Sequence, residues 1–340
     1  MSLYGLRVIW KPEMYHGHSK KRNFFEGWYF KIIDSKEEFF YAIIPGVSLG
    51  SSKEVSHSFI QVLNGVEGTS SYHTYSLGDF SYSKNNFEIW IGKNYFSLNG
   101  IKLNIEGSEA RIKGELKFKN LIGWPVKFTS PGAMGWYAFL PFLETYHGIL
   151  SLNHDIDGNI TFNDQKVNFS GGKGYIEKDW GSSFPSAYIW MQSNHFDEKN
   201  ASITASIARV PLLGRSSTGF IVGFLYNNKL YKFTANTGAK IIKLQKKANL
   251  ITASFRDKMH LLEIEAAKEK GAELASPILG EMAGRINETL KAKINVTLYR
   301  LNGGKKELVF SGVGRNSGLE VVGNFKELVS GFKTVKHTNA

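Results

Sequence analysis

Short stretches of alternating apolar and polar residues recur along the chain and predict β-strands. The clearest one runs from Leu290 to Leu298, where every second residue is apolar and the residues between are polar or basic. A period of two over this length is typical of a strand with one buried face, because successive side chains of a strand point to opposite faces. Lys305–Phe310 follows after Asn302-Gly303-Gly304, so we expect the two segments to form a hairpin.

Similar runs predict strands in both halves of the chain: 28–33, 39–44, 58–63, 87–91, 102–105, 110–118, 202–208, 219–225 and 230–233. Their regular spacing and the turn residues between them favour antiparallel barrels or sandwiches over a βαβ fold. Only residues 268–275 and 278–286 are candidates for short helices. No glycine-rich phosphate loop opens a helix, which argues against nucleotide chemistry.

Length and composition agree with a strand-rich protein. The chain has 340 residues, of which 42% are hydrophobic and 14% aromatic, and this composition excludes disorder. This length predicts one large or two medium domains. The break in periodicity near Gly171-Gly172 places the predicted boundary there, with domains 1–172 and 173–340.

The absence of cysteine excludes some kinds of functional site, and the net charge limits the kinds of binding partner. Without cysteine, disulfides, thiolate catalysis and Cys-based metal sites are excluded. No signal peptide and no membrane-spanning apolar run are visible, so we expect a cytoplasmic protein. The net charge is +12, but the Lys and Arg residues are scattered and match no nucleic-acid motif, so no nucleic-acid partner is predicted. The alternatives are a solvated basic surface and peripheral contact with an anionic membrane.

The segment 171–196 differs from ordinary core strands because acids, tyrosines and tryptophans are interleaved with glycines. Glu177 is the predicted proton donor, since a carboxyl buried among aromatic rings has its pKa raised toward neutrality. The alternative for Glu177 is a structural salt bridge with Lys178 or another lysine. Asp179 is the rival acid, or else a local backbone cap. Tyr175 relays the proton or orients the substrate, or else it is a core aromatic.

Three segments carry a family resemblance. Residues 23–31 read Asn-Phe-Phe-Glu-Gly-Trp-Tyr-Phe-Lys, residues 175–185 contain Glu-Lys-Asp-Trp-Gly-Ser-Ser-Phe-Pro, and residues 275–323 form an apolar turn followed by two long strands. Together they resemble the tocopherol cyclase family, and more distantly the carotenoid hydratases. The resemblance implies an all-β protein of two lipocalin-like antiparallel β-barrels, with few short helices and a pocket near their junction. The chain departs from the plant cyclases at Tyr146-His147-Gly148-Ile149, where they have Pro-His-Trp-Gln.

The resemblance implies a cofactor-independent, acid-catalysed cyclisation of a prenylated hydroquinone, or a related isoprenoid, to a chromanol-type ring. Such a reaction needs an acid, surroundings that tolerate a tertiary carbocation and an oriented phenol oxygen, but no cofactor and no metal. The implied partner is a small apolar isoprenoid substrate. Two other functions remain open: a carrier that binds a lipid or prenylquinone without chemistry, and a hydratase of isoprenoid double bonds.

The resemblance and the residue chemistry together define the predicted site. His147 either polarises the acid or deprotonates the phenol, or is an ordinary core histidine. His16-Gly17-His18 has a spacing that suits a metal on a strand or simply a surface turn, and no metal site is predicted. Trp28 and Glu177 are expected to approach one cavity. The predicted catalytic residues are Glu177, His147, Tyr175 and Asp179, and the predicted substrate-binding residues are Glu26, Trp28, Trp136, Lys178, Trp180, Tyr188 and Trp190. Glu26 either hydrogen-bonds the ring hydroxyls or supports the site, or it belongs to a buried structural ion pair.

Overall fold

The computed structural model describes residues 3–198, 200–212 and 215–330, and nearly all of its regular structure is antiparallel β-strand. The two α-helices of the described residues are short, α1 (Leu3–Arg7) and α2 (Phe325–Val329). The all-β prediction is therefore confirmed. In the described part of the chain, no helix has the length and apolar character needed to cross a membrane.

The chain divides into two compact units. The first contains the described residues up to Phe184 together with Ala272–Ile286, and the second contains Pro185–Gly271 and the described residues from Asn287 onward. These bounds differ from the division predicted after residue 172. That position is the first residue of a strand that pairs on both sides with strands of the first unit, so the chain cannot be divided there without splitting a sheet.

The first unit contains a twelve-stranded sheet that curves around one aromatic and aliphatic core. Its spatial order is β4-β3-β2-β1-β12-β10-β9-β8-β7-β6-β5, with β11 paired to β10. Its core includes Trp28, Phe30 and Ile176. The strands are β1 (Phe24–Ile33), β2 (Phe40–Leu49), β3 (His57–Asn64), β4 (Thr69–Tyr75), β5 (Phe80–Tyr82), β6 (Glu88–Ile91), β7 (Asn94–Ser97), β8 (Gly100–Glu106), β9 (Arg111–Ile122), β10 (Thr145–Phe162), β11 (Gln165–Asn168) and β12 (Gly172–Gly181).

A ten-stranded sheet contains the remaining strands, in the order β16-β15-β14-β13-β22-β21-β19-β18-β17, with β20 paired to β21. The predicted hairpin near the C-terminus is confirmed: Leu298 pairs with Phe310, and Asn302 with Lys305. The strands are β13 (Tyr188–Ser193), β14 (Ser202–Leu212), β15 (Arg215–Tyr226), β16 (Lys229–Thr234), β17 (Lys240–Lys247), β18 (Leu250–Arg256), β19 (His260–Ala267), β20 (Ala272–Ile278), β21 (Glu281–Asn302) and β22 (Lys305–Val322).

The prediction of short helices at 268–275 and 278–286 is wrong, because β20 and the start of β21 occupy these positions. Ala272 and Leu274 are buried, alternating with more exposed neighbours, as in a strand. The turn between the two strands has left-handed backbone at Leu279 (φ 49°) and Gly280 (φ 83°). A side chain at Gly280 would meet the backbone nitrogen of Phe24 at 2.3 Å, so this turn requires glycine.

Candidate active site

β12 lies between β1 and β10, and its alternation separates the predicted site residues into two groups. Across β1, Glu177 pairs with Tyr29 and Lys178 pairs with Trp28. Paired residues of an antiparallel ladder share a face, and successive residues of a strand point to opposite faces. The odd-numbered positions 175–179 therefore lie on one face of the sheet. The even-numbered positions 176–180 lie on the face that contacts the core.

The odd-numbered face carries a continuous chain of titratable side chains. The Tyr175 hydroxyl donates a short hydrogen bond to Glu177 Oε2. His147 Nε2 lies 3.6 Å from the same Glu177 oxygen, and His147 Nδ1 lies 2.8 Å from Asp179 Oδ1. Tyr175, Glu177 and His147 are buried, and Asp179 is partly exposed. The structure thus brings together all four residues that the sequence nominated as catalytic.

The pairing of β10 with β12 places His147 in this chain. His147 is the Cα partner of Asp179, and Ile149 is the partner of Glu177. The register shifts between Ile149 and Ser151, immediately after the site. Such irregularities are common beside active sites, where they redirect a side chain or end a regular ladder.

His147 is positively charged at neutral pH. Burial alone would lower its pKa, but the charges of Asp179 and Glu177 and the hydrogen bond to Asp179 outweigh burial and raise the pKa to about 9. Nδ1–H donates to Asp179, which fixes the orientation of the ring. Nε2 is buried, has no hydrogen-bond partner among the described residues and is directed toward Glu177. The site therefore stores one proton beside a buried carboxyl group.

The core-facing side of β12 carries a separate ionic cluster. Lys178 Nζ lies 2.5 Å from Glu26 Oε1, and both side chains are fully buried. Glu26 accepts hydrogen bonds from the backbone N–H groups of His16 and Gly17, at 2.9 and 3.0 Å. Lys178 donates to the carbonyl oxygen of Pro12 at 3.0 Å. The ion pair thus fastens residues 12–17 to the barrel.

Within this cluster, burial and the neighbouring charge shift the pKa values of Lys178 and Glu26 in opposite directions. Burial lowers the pKa of Lys178 to about 8, although the Glu26 carboxylate opposes the shift. Burial would raise the pKa of Glu26, but the charge of Lys178 and the hydrogen bonds hold that pKa below its ordinary value. Burial and Lys178 lower the pKa of His16 to about 4. His16 is therefore neutral at neutral pH, and its ring stacks on Trp180 with centroids 4.2 Å apart.

Trp28 and Trp180 belong to the same cluster. Lys178 Nζ lies 4.8 Å from the centre of the Trp28 ring and 4.6 Å from that of Trp180, so both rings already face a cation. Trp28 and Glu177 lie on adjacent strands but on opposite faces of the sheet, in contrast to the shared cavity expected from the sequence. Lys178 pairs with Glu26, so it is not the partner of Glu177 that the salt-bridge alternative required.

The remaining predicted residues lie elsewhere. Trp136 is exposed in a 3-10 helix, Gly135–Phe139, and stacks on Tyr137 with ring centroids 4.2 Å apart. Tyr188 and Trp190 are on β13 in the second unit, and the Tyr188 hydroxyl donates to Glu320 Oε2 at 2.6 Å.

The sequence reasoning missed two residues on the odd-numbered face. Lys31 is the β1 partner of Tyr175, and Tyr29 is the partner of Glu177. Both side chains are buried. The signal was present in the sequence, because Lys31 is a charged residue at the end of an otherwise apolar and aromatic strand pattern.

His147, Glu177 and Asp179 are also the described residues that could hold a metal ion. One ligand atom from each lies within 4.8 Å of the other two. Metal binding requires a neutral imidazole, whereas the carboxylates keep His147 protonated at neutral pH. A cation would therefore have to displace a firmly held proton from this site.

Comparisons with known proteins place this chain in a family. The sequence model described as tocopherol cyclase-like matches residues 85–323. A probable chloroplastic tocopherol cyclase of Oryza sativa subsp. japonica is 23% identical over 365 residues, which cover 91% of this chain and 77% of that protein. A chloroplastic tocopherol cyclase of Zea mays is 25% identical over 218 residues, which cover 62% of this chain and 46% of the maize protein. The crystal structure of CghA is similar in fold, with a TM-score of 0.55 at 10% identity over 88% of each chain.

Proposed function

Because the chain belongs to the tocopherol cyclase-like family, we propose that it catalyses the acid-driven cyclisation of a prenylated hydroquinone to a chromanol-type ring. The observation that carries this proposal is the chain Tyr175–Glu177–His147–Asp179 on one face of β12 and β10, in which all but Asp179 are buried. The names of the rice and maize relatives supply the reaction class. The four side chains supply a proton donor, a reservoir for its proton and groups that orient both.

In the proposed reaction, Glu177 transfers a proton to the double bond of the tail nearest the ring. A C–H bond forms and leaves a tertiary carbocation. The phenol oxygen attacks this carbon, so a C–O bond forms while the O–H bond breaks, and the proton returns to the Glu177 carboxylate. Product and substrate are isomers, so no proton or electron is gained or lost. One carboxyl group acts first as general acid and then as general base.

His147 and Tyr175 prepare Glu177 for this role. The His147 imidazolium holds a proton on Nε2, 3.6 Å from Glu177 Oε2, and can pass it to the carboxylate before the substrate reacts. Asp179 holds the opposite edge of the ring and keeps Nε2 directed at Glu177. The hydrogen bond from the Tyr175 hydroxyl fixes the orientation of the carboxyl group.

The aromatic groups best placed to face the carbocation are Tyr29 and Tyr175. Both are buried on the same face of the sheet as Glu177. An aromatic ring face attracts a cation by about 0.5–2 kcal/mol, depending on how far the cation is removed from water. The same burial suits an apolar isoprenoid tail, because apolar area removed from water stabilises binding by about 25 cal/mol per Å².

The decisive test is Glu177→Gln, assayed with prenylated hydroquinones and mass analysis of the products. The amide keeps the size of the side chain but removes the acid, so turnover should fall by about 10²–10⁴-fold. Binding of the quinol, followed by quenching of tryptophan fluorescence, should survive. Glu115→Gln is the matched control, because Glu115 is exposed on β9 and should leave turnover unchanged. Treatment with EDTA should also leave turnover unchanged.

Each other outcome overturns the proposal in a defined way. Tight binding of a quinol by the unmodified protein without any isomerised product would indicate a carrier. A product heavier by one water molecule would indicate a hydratase that uses the same acid. Full turnover by Glu177→Gln would move the donor role to His147 or Asp179.

A further inference from the structure

The connection between β9 and β10 exposes an unusual number of large apolar side chains. We call this connection, residues 123–144, the aromatic loop. Phe128 is 81% exposed and Phe142 is 53% exposed. Val126, Trp136 and Phe139 of the same loop are also exposed. Soluble proteins seldom expose contiguous apolar patches, and larger ones mark sites of protein or membrane contact.

Two of the exposed rings, Phe128 and Phe139, pack against the N-terminal segment. The Trp10 ring stacks on Phe128 with centroids 5.5 Å apart and meets the edge of Phe139 at 5.7 Å. Its indole N–H donates to the carbonyl oxygen of Phe128 at 2.8 Å. Three aromatic side chains thus form one ordered apolar surface. A surface ordered in advance loses little conformational entropy on binding.

The charged side chains around this surface are mostly basic. Lys117 and Lys119 precede the aromatic loop on β9, and the charged residues of the loop itself are Lys127 and, at its last position, Glu144. Lys11 follows directly after Trp10, and its exposed ammonium lies 3.7 Å from Glu13 Oε1. The chain as a whole carries a net charge of +12. Aromatic side chains bordered by lysines match the interface of a bilayer, where rings lie at the level of the headgroups and lysines contact anionic phosphates.

We propose that the aromatic loop, together with Trp10 and Lys11, docks onto the surface of a lipid bilayer that contains anionic lipids. A protein partner would have to present a carboxylate-rich apolar surface, whereas an anionic bilayer offers both properties over any area. The docking proposal stands on exposure, packing and charge, and it does not depend on the reaction assigned to the site.

The aromatic loop is also tied to the strand that carries His147. The Tyr146 hydroxyl donates a short hydrogen bond to the carbonyl oxygen of Leu140. The backbone N–H of Trp124 donates to the carbonyl oxygen of Ile149 at 3.4 Å. Docking would therefore bring the start of β10 close to the lipid. If the proposed function holds, this position shortens the path of an isoprenoid substrate from the bilayer to Glu177.

The test is co-sedimentation of the full chain with vesicles of phosphatidylcholine alone and of phosphatidylcholine mixed equally with phosphatidylglycerol. The protein should bind the mixed vesicles about tenfold or more tightly than the neutral ones, and added salt should weaken this preference. The double variant Phe128→Ser/Phe142→Ser should lose at least about tenfold in binding to the mixed vesicles, because both rings leave water on docking. Lys127→Glu should reduce the preference for anionic vesicles.

Leu308→Ser is the matched control, since Leu308 is 63% exposed on β22 and lies outside the aromatic loop. It should bind like the unmodified protein. Thermal melting followed by circular dichroism should show that all variants fold, because the substituted side chains are exposed. Absence of vesicle binding by the unmodified protein, or equal binding by the double variant, would overturn the docking proposal. Sedimentation does not measure turnover, so this result is independent of the cyclase assay.

Discussion

At the scale of single residues, the charge of His147 determines what the site can do. Asp179 and Glu177 raise its pKa to about 9 although the ring is buried. A neutral imidazole at this position would accept a proton from Glu177, whereas the imidazolium can only donate one. In the proposed reaction, the two carboxylates therefore set the direction of proton transfer as well as the position of the ring.

This charge predicts a pH dependence of turnover. As pH rises through about 9, His147 loses its proton and the rate should decline. His147→Gln should lower turnover by less than Glu177→Gln, about tenfold, and should abolish this decline, because the titrating group is gone. Asp179→Asn should move the decline to lower pH by about one unit or more, since it removes a nearby negative charge. Profiles of kcat against pH for the three proteins would show this, and an unchanged profile in His147→Gln would rule out the assigned role.

At the scale of elements, β12 serves two purposes because its faces are separate. One face carries the chain of titratable side chains that includes Glu177. The other face carries Lys178, whose ion pair with Glu26 holds residues 12–17 against the barrel. The motif at residues 23–31, most of which lies in β1, contributes to both faces. Glu26 and Trp28 belong to the structural cluster, whereas Tyr29 and Lys31 share the face of Glu177 and Tyr175.

The buried ion pair predicts a large loss of stability when one partner is removed. Glu26→Gln leaves the Lys178 ammonium in a dry site without its counter-charge, so the free energy of unfolding should fall by about 3–5 kcal/mol. Arg111→Ala is the control, because Arg111 and Asp164 form an ion pair that is largely exposed and should contribute at most about 1 kcal/mol. Urea denaturation measures both. Equal effects of the two substitutions would show that the cluster does not stabilise the fold.

At the scale of the whole molecule, buried histidines whose pKa values shift in opposite directions make the free energy of unfolding depend on pH. Burial lowers the pKa of His16 to about 4 and that of His154 to about 3, so both remain neutral in the folded protein well below the pH at which they protonate in the unfolded chain. His147 behaves in the opposite way and keeps its proton up to about pH 9. The folded protein therefore takes up fewer protons than the unfolded chain on the acid side and more on the alkaline side.

These shifts predict a maximum of stability near neutral pH. As pH falls from 6.5 toward 4, His16 and His154 become protonated in the unfolded chain but stay neutral in the folded protein. Each histidine should therefore lower the free energy of unfolding by on the order of 3 kcal/mol. The contribution of His147 is complete below pH 6.5 and is lost as pH rises to about 9, again on the order of 3 kcal/mol. Urea denaturation at several pH values should show both losses of stability, the acid limb below pH 6.5 and the alkaline limb between pH 6.5 and 9.

His147→Gln separates the two effects, because it should keep the acid limb and lose the His147 part of the alkaline limb. The comparison with the unmodified protein also cancels Lys178, whose lowered pKa acts with the opposite sign above pH 8. A constant difference between the two proteins from pH 6.5 to 9 would contradict the raised pKa of His147.

Much of the fold, and the four residues that the structure brings together as a candidate site, could be predicted from the sequence. Strand alternation is a local property, so Leu290–Leu298 could be assigned as a strand without knowing which strands pair with it. The motifs around Glu26 and Glu177 were sufficient to indicate the family. The chemistry of the four catalytic candidates also followed from their residue types. At 272–286 the local pattern was too weak, and pairing of β20 with β21 decided the structure instead.

Only the tertiary structure decided which face each motif residue occupies and what charge it carries. Glu26, Trp28, Lys178 and Trp180 resembled substrate-binding residues in the sequence, but the register of β1 against β12 turns them toward the core. The raised pKa of His147 arises where β10 meets β12, since Asp179 and Glu177 lie far from it in the chain. Register and electrostatic potential depend on contacts between distant segments, and a one-residue shift of a strand would reverse every one of these assignments.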